Sequence, residues 1–417
     1  MKCLIGVGSN LENPKENLES AAKALFKISN NHFRASPIYK TPALLPPNAP
    51  ADWDKPYHNA VIEIDWSGTA IHLFNHLKSL EETLGRTPAE RWAPRIIDLD
   101  LLTYGNETVN FPSLQIPHPR LFERSFVLDP MKDLCPSLIL PGTTKTVLSY
   151  ARNLKTHQPL IMGIVNVTPD SFSDGGENIS PENLRTKLLQ LDYSETHILD
   201  FGAESTRPGA TRLSEDEEWS RLKPALEITQ EFYRGRMLLP VISVDTYKAG
   251  VADRALELGA NWINDVSGLG DPNMLSVLKD SDCHYVLMHN LGVPTDPQNH
   301  IPESSDPVRV LKEWFEDKLN LLIKNGISID RIVFDVGIGF GKTTAQSVQL
   351  IRRIDEFSSF PVRILVGHSR KSFMKAWGLE SHGERDQSTL FLSRELASKG
   401  VDILRVHDFK AHMRAFS

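Results

Sequence analysis

Asp98 and Asp100 stand one residue apart in the stretch Glu90-Arg91-Trp92-Ala93-Pro94-Arg95-Ile96-Ile97-Asp98-Leu99-Asp100. On a strand they share a face. Two neighbouring carboxylates repel each other unless cations join them. Hard oxygens with room for water and phosphate suit Mg²⁺, and two such ions can clamp both ends of a transferring phosphoryl group. An aspartate pair alone reads more simply as a solvated strand face. Arg86, Arg91 and Arg95 just upstream shift that balance, because a polyphosphate needs positive charge opposite the metals.

A different constellation fills the second half. Short apolar runs recur, and polar residues follow each of them. In order these are Asn166, Glu204 with Thr206 and Arg207, Asp245, Asn264 with Asp265, His289, Asp335, Ser369 with Lys371, and Arg405 with His407. Any one of them reads equally well as strand-end polarity or a helix cap. Eight together read as one rim. For a flat ligand with an edge of neighbouring N–H donors, a carboxylate with two acceptor oxygens is the natural partner. Asp335 fits that role. Asn264 can donate and accept beside it, and Lys371 can bond a ring carbonyl. Asp245 lies where a carboxylate could steady positive charge on a departing group's carbon.

The elements that must position these residues differ between the halves. In the first, Lys2–Val7, His32–Tyr39, His58–Asp65 and Ile96–Tyr104 read as strands. Helices run from Asn13-Pro14 to about Ile28 and over Thr69–Leu84, the latter stopped by Gly85. This order predicts a two-layer α+β domain over residues 1–150. The Pro-rich loop Leu44–Pro56 reads as long and mobile. Residues 151–158 are polar and basic and read as a linker. From residue 159 to 417 the runs LIMGIVNV, THILDFG, LPVISVD, NWINDV, HYVLMH, RIVFDVG, VRILVG and VDILRVH alternate with helix-length segments. Eight such repeats predict an α/β (β/α)₈ TIM barrel, whose active sites lie at the strand C-termini. A doubly wound sheet is the competitor. It is disfavoured by the count and by Gly6-Val7-Gly8, which lacks the third glycine of a dinucleotide fingerprint.

Composition sets bounds. The chain has 417 residues, 40% hydrophobic and 24% charged, enough for two domains with sizeable cores. A formal net charge of −7 disfavours nucleic-acid binding. Cys3, Cys135 and Cys283 show no metal-type pairing and fit a reducing compartment, hence a cytoplasmic expectation. No run of about eighteen apolar residues occurs, so no membrane span is expected.

With these residues in view, the first half resembles 6-hydroxymethyl-7,8-dihydropterin pyrophosphokinases. Besides the Glu90–Asp100 stretch, the matching pieces are Gly8-Ser9-Asn10-Leu11, Ser36-Pro37-Ile38-Tyr39-Lys40-Thr41-Pro42, Tyr57-His58-Asn59, Leu80-Glu81 and Ile116-Pro117-His118-Pro119-Arg120. The resemblance implies a ferredoxin-like α+β fold and transfer of pyrophosphate from ATP to a pterin hydroxymethyl oxygen, releasing AMP. It implies that Asp98 and Asp100 hold two Mg²⁺ ions. Thr41, Leu44, Tyr57, Asn59 and Phe126 would surround the pterin, with Tyr57 and Phe126 stacking on it. Glu81, Arg86, Arg91, Trp92, Arg95, His118 and Arg124 would bind ATP, with Arg91 and Trp92 on a closing loop.

The second half resembles dihydropteroate synthases. The matching pieces are Met162 to Gly176, Gly202 to Ala210, Ser243-Val244-Asp245-Thr246, Ile263-Asn264-Asp265-Val266, Asp335 to Lys342, Gly367 to Ser372 and Arg405-Val406-His407-Asp408. Val336 stands where that family usually has proline. The resemblance implies condensation of a pterin pyrophosphate with p-aminobenzoate. It places the pterin against Asp245, Asn264, Met288, Asp335 and Lys371. It places p-aminobenzoate and pyrophosphate against Asn166, Phe172, Thr206, Arg207, Pro208, Phe340, Ser372, Arg405 and His407. One Mg²⁺ would sit with the pyrophosphate at Asn166. Sulfonamides become expected competitors and a homodimer through the barrel an expected assembly. Two other readings are weighed. One head could have lost its chemistry and survive as a pterin-binding or regulatory domain, against which the intact Asp98, Asp100, Asp245, Asp335 and Lys371 argue. The barrel could be a folate-dependent methyltransferase domain, which would lack Ser369-Arg370-Lys371 together with Thr206-Arg207-Pro208.

Overall fold

The computed structural model divides into two compact units. One is Met1–Gln158 with Gly235–Leu239 and Phe416–Ser417; the other is Pro159–Arg234 with Pro240–Ala415. The structure describes residues 1–167, 185–186, 196–205, 211–296, 298–371, 373–374 and 382–417.

The first unit is built on an antiparallel sheet. Its strands are β1 (Lys2–Ser9), β2 (Phe33–Ala35), β3 (Tyr39–Thr41), β4 (Tyr57–Asp65) and β5 (Asp98–Tyr104), in the order β2-β4-β1-β5 with β3 also on β4. The predicted strand over His32–Tyr39 is two strands, because the chain breaks at Ser36-Pro37 and proline cannot donate to a ladder. Helix α1 (Pro14–Ile28) starts on a proline and buries Leu18, Ala21, Ala22 and Leu25, one helical stripe. Helix α2 (Ala70–Thr83) is capped by Thr69, whose hydroxyl accepts the His72 N–H at 3.3 Å. A small hairpin, β6 (Val109–Phe111) with β7 (Leu114–Ile116), follows.

The expected two layers are three. Cys3, Ile5, Val7, Ile62, Ile64 and Leu99 face a core built with α1 and α2. Their alternates Leu4, Val61 and Leu102 face a second core under α3 (Ser125–Leu134) and α4 (Val147–Arg152). The near-continuous apolar runs Cys3-Leu4-Ile5 and Ala60-Val61-Ile62 carry this information, since a strand buried on both faces has no alternation. Residues 151–158, expected as a linker, pack onto this second core. Ala151 is buried, His157 Nδ1 lies 2.6 Å from Asp129 Oδ1, and the Gln158 N–H donates to Asp129 Oδ2 at 2.9 Å. A short apolar face of Val147, Leu148 and Ala151 inside a polar segment is what the composition hid.

The second unit is a closed barrel of eight parallel strands: β8 (Leu160–Asn166), β9 (Ile198–Gly202), β10 (Val241–Asp245), β11 (Trp262–Asp265), β12 (His284–Met288), β13 (Ile332–Asp335), β14 (Arg363–Val366) and β15 (Ile403–Val406). Each coincides with one predicted apolar run. β15 pairs with β8 and closes the ring. Helices Glu215–Phe232 and Pro307–Lys324 fill two of the helix-length segments between the runs. The first opens on a capping box between Ser214 and Glu217, the second on Asp306 ahead of Pro307. Cys3, Cys135 and Cys283 form no disulfide. Among the described residues no helix is long and apolar enough to cross a membrane.

Candidate active sites

Strand register builds the first site. Gly8 lies opposite Asn59 on one side and Asp98 on the other, and Gly6 opposite Asp100. Taken two residues at a time, Tyr57-Asn59-Val61, Gly8-Gly6-Leu4 and Asp98-Asp100-Leu102 share one sheet face. Val61, Leu4 and Leu102 are buried under α3; the polar and glycine members beyond them floor a cleft of about 290 Å³. A Cβ on Gly8 would lie 3.0 Å from Asn59 Oδ1, so glycine leaves that amide its room. Asn59 donates to Thr41 Oγ1 at 2.9 Å.

Thr41, Leu44, Tyr57, Asn59 and Phe126 all line this cleft. So do Arg86, Arg91, Trp92, Arg95, Asp98, Asp100, His118 and Arg124. Arg86 and Arg95 reach Asp98 at 2.7 and 3.1 Å, while Arg124 stands 3.9 Å from Asp100. Arg91 and Arg120 both lie over the Trp92 ring, whose backbone takes a positive φ of 75°. Glu81 is the exception among the expected residues. It does not line the main cleft; its buried carboxylate takes Arg86 at 2.6 Å, Lys78 at 2.8 Å and the Leu99 N–H at 2.7 Å. It thereby anchors the peptide between the two aspartates. Lys78 and Arg120 line the cleft and were not singled out from the sequence. The i,i+3 spacing of Lys78 and Glu81 on α2 was the available signal.

Electrostatics follow from this packing. Burial pushes the Asp98 carboxyl up, but Arg86, Arg95 and Lys78 outweigh it and hold it below the usual range. Burial lowers His118, with Arg124 and Arg120 adding to it and Asp100 opposing, which favours a neutral imidazole. Among the described residues no three His, Cys, Asp or Glu side chains gather as a metal site. Asp98 and Asp100 are two hard carboxylates at the edge of a cleft, which fits a cation taking its other ligands from phosphate and water.

The second site lies at the strand C-termini of the barrel. Asp245 and Asn264 are register partners, as are Met288 and Asp335. Arg405 spans the rim: its Nε donates to Asp200 Oδ2 at 2.7 Å and its Nη2 to Asp245 Oδ2 at 2.6 Å. Asp335 Oδ1 accepts the Gly337 N–H at 2.8 Å, which leaves Oδ2 for a ligand. Lys371 lies 4.3 Å from the centre of the Phe340 ring, and His407 Nδ1 sits 2.9 Å from Ser369 Oγ. Asn166 ends β8, opposite Gly202 in register. Phe172, Thr206, Arg207, Pro208 and Ser372 lie outside the described residues.

This site is more deeply desolvated than the first. Burial pushes Asp245 up to about 7 against the pull of Arg405. Burial also raises Asp335, with Lys371 opposing, and lowers Lys371 to about 8, with Asp335 opposing. Two buried residues went unassigned in the sequence. Asp200 is fully buried and binds Arg405, Ser243 and Asn264. A carboxylate inside the apolar run of THILDFG was its signal. Lys342 donates to the Phe340 carbonyl at 2.8 Å and lies 3.0 Å from His289 Nδ1. Burial and Lys342 push that imidazole down to about 2, so it is neutral and accepts.

Two family models match the chain. The 7,8-dihydro-6-hydroxymethylpterin-pyrophosphokinase model covers residues 4–136, and the pterin binding enzyme model covers 162–407. The folate synthesis bifunctional protein of Chlamydia caviae is 34% identical over 99% of this chain and 96% of its own length. That of Chlamydia muridarum is 35% identical with the same coverage. This chain belongs to the bifunctional folate-synthesis family. A mitochondrial member from Pisum sativum is 32% identical over 99% of this chain and 87% of its own. Among solved structures, the dihydropteroate synthase of Yersinia pestis with a sulfonamide drug is 34% identical, with TM-score 0.57 over 63% of this chain and 94% of that one. The Clostridium difficile synthase with pteroic acid is 36% identical, with TM-score 0.55 over 63% and 95%. As a folate-synthesis bifunctional protein, the chain carries out two steps. It pyrophosphorylates 6-hydroxymethyl-7,8-dihydropterin with ATP, then condenses the product with p-aminobenzoate to 7,8-dihydropteroate.

Proposed function

We propose that the first step runs in the sheet cleft and the second at the barrel rim, with the residues of each in distinct roles. The single observation that carries the reading is the gathering of the expected side chains into these two places from segments far apart in sequence. In the cleft, Tyr57 and Phe126 stack on the pterin and Asn59, anchored by Thr41, bonds its edge. Arg86, Arg91, Arg95, His118 and Arg124 take the ATP phosphates, and Glu81 acts through Arg86 and the Leu99 amide. Asp98 and Asp100 hold two Mg²⁺ ions, which supply charge neutralisation of the transferring pyrophosphoryl group. Arg86 and Arg95 then pass from Asp98 to the phosphates, a swap of one anion for another at the same guanidinium.

At the rim, Asp335 Oδ2 and Asn264 take the pterin's N–H edge, Met288 packs on its face and Lys371 bonds its carbonyl side. Asp245 steadies positive charge on the pterin as pyrophosphate leaves. Arg405, His407, Asn166 and Ser372 hold the leaving group, with one Mg²⁺ at Asn166. Phe172, Thr206, Arg207, Pro208 and Phe340 form the p-aminobenzoate pocket, where sulfonamides compete. The amine attacks the pterin methylene directly, so no covalent enzyme nucleophile is required. The same proposal includes a homodimer through the barrel, read by light scattering, and a cytoplasmic home consistent with three cysteines outside any disulfide.

The test is a single reaction. Purified chain, hydroxymethyldihydropterin, ATP, Mg²⁺ and p-aminobenzoate should yield AMP and dihydropteroate. Asp100→Ala should stop both products in this reaction but leave dihydropteroate formation intact when pterin pyrophosphate is supplied, and Lys371→Ala should stop dihydropteroate alone. Failure of folded Asp100→Ala to use supplied pterin pyrophosphate, or loss of AMP in folded Lys371→Ala, would overturn the division of roles.

A further inference from the structure

Asp200 sits in the middle of β9, fully buried, with no route to a substrate atom in the roles above. Its two oxygens are saturated by three other strands. Oδ1 accepts the Ser243 hydroxyl of β10 at 2.6 Å. Oδ2 accepts the Asn264 amide nitrogen of β11 at 3.2 Å and Arg405 Nε of β15 at 2.7 Å. Asn264 is itself 2% exposed, and its Oδ1 has no hydrogen-bond partner among the described residues. A buried acceptor left unpaired costs about as much as a lost hydrogen bond, so this oxygen marks a place where a ligand donor belongs.

An asparagine side chain is ambiguous by itself, because its oxygen and nitrogen can exchange places by a half-turn. A carboxylate paired with arginine is not ambiguous, because it can only accept. Asp200 therefore forces the NH₂ of Asn264 toward itself and the oxygen away. We infer that Asp200 is a positioning residue that sets the polarity of Asn264, so that the barrel site demands an N–H donor from the pterin at that point and rejects an acceptor. This deepens the rim assignment above and rests on Asn264 facing the pterin. Through Arg405 the same carboxylate also fixes the cation that lies on Asp245, so one buried group orients a neutral and a charged ligand contact together.

The inference predicts a reversal of sign between two substitutions. In the wild-type background, Asn264→Asp puts a second carboxylate against Asp200 and should raise the KM for hydroxymethyldihydropterin pyrophosphate about tenfold or more. Asp200→Leu removes the acceptor, frees the Asn264 amide to turn, and should also weaken the substrate about tenfold. In the Asp200→Leu background, however, Asn264→Asp should recover about tenfold, because a carboxylate offers an acceptor however it turns and restores a partner for Arg405. Asp200→Asn, nearly the same shape as aspartate, serves as the second background and should give the same reversal should the leucine variant not fold. Equilibrium binding of pteroic acid to the same full-length variants gives an independent readout. Equal harm from Asn264→Asp in wild-type and Asp200-substituted chains overturns the inference while leaving the rim assignment standing. If Asn264→Ala alone leaves substrate KM and pteroic acid binding unchanged, the rim assignment of Asn264 falls and the inference with it.

Discussion

The two sites use the same residue types in opposite electrostatic regimes. In the sheet cleft, Asp98, Arg86 and Arg95 are each 24–29% exposed at the side chain, and the arginines hold the carboxyl below its usual range. At the barrel rim, burial wins. Asp245 rises to about 7 although Arg405 touches it, Asp335 rises too, and Lys371 falls to about 8. The chemistry explains the contrast. Transfer between phosphates needs anions and cations that stay charged while highly charged substrates come and go, so a wetter site with excess arginine suffices. The condensation reads a flat heterocycle by its hydrogen-bonding edge and must steady a transient charge, which is strongest where water is excluded and dipoles are preorganised.

The largest effect expected is at the cleft. Asp98→Ala should abolish AMP formation, a barrier increase on the order of several kcal/mol, while dihydropteroate formation from supplied pterin pyrophosphate stays within about twofold. Separate assays of the two products check this. If both activities vanish in a folded variant, the two regimes are not independent.

Next in size is Asp335→Asn, which should cut affinity or turnover for pterin pyrophosphate at least about a hundredfold without unfolding the chain. The amide oxygen can keep the Gly337 N–H, which puts the new NH₂ where the ligand donor must go. A charged hydrogen bond is worth roughly 1.5–3 kcal/mol and an unpaired buried donor costs about 1–3 more. Steady-state kinetics and pteroic acid binding measure it. Near-wild-type values would reduce Asp335 to a turn-stabilising residue.

A smaller, graded effect separates the regimes by pH. With the roles proposed above, the synthase step needs Asp245 ionised and Lys371 charged. Because Asp245 is raised, kcat/KM should fall as pH drops below about 7; because Lys371 is lowered, it should fall again above about 8. Each limb should approach tenfold per pH unit. AMP formation should lack the acid limb, since Asp98 is held low. Asp245→Asn should erase that limb from the synthase profile; its persistence would assign it to another group.

The smallest effect is dynamic. Amide exchange in Leu44–Pro56 and around Trp92 should slow when an ATP analogue and pterin bind, as for segments that close over a site. Unchanged protection would make the cleft as preformed as the rim.

Much of this was legible in one dimension. Eight apolar runs with polar ends specified a barrel and its rim, because parallel strands bring their C-termini to one side whatever the helices between them do. Asp98 and Asp100 shared a face by strand geometry alone, and the motif order carried the family. Four things waited for the fold. The second core under the sheet was disguised as unbroken apolar strands. The segment 147–158 hid an apolar face of Val147, Leu148 and Ala151 behind polar composition. Glu81 was expected at ATP, but only packing shows its Oε1 taken up by Arg86, Lys78 and the Leu99 amide. Asp200 was one acid within a hydrophobic run until Ser243, Asn264 and Arg405 arrived from three other strands. Local sequence fixes which groups a strand can offer and on which face. Which of them are desolvated, and which carboxylate orients which amide, depends on neighbours tens to hundreds of residues away, and so belongs to the tertiary structure alone.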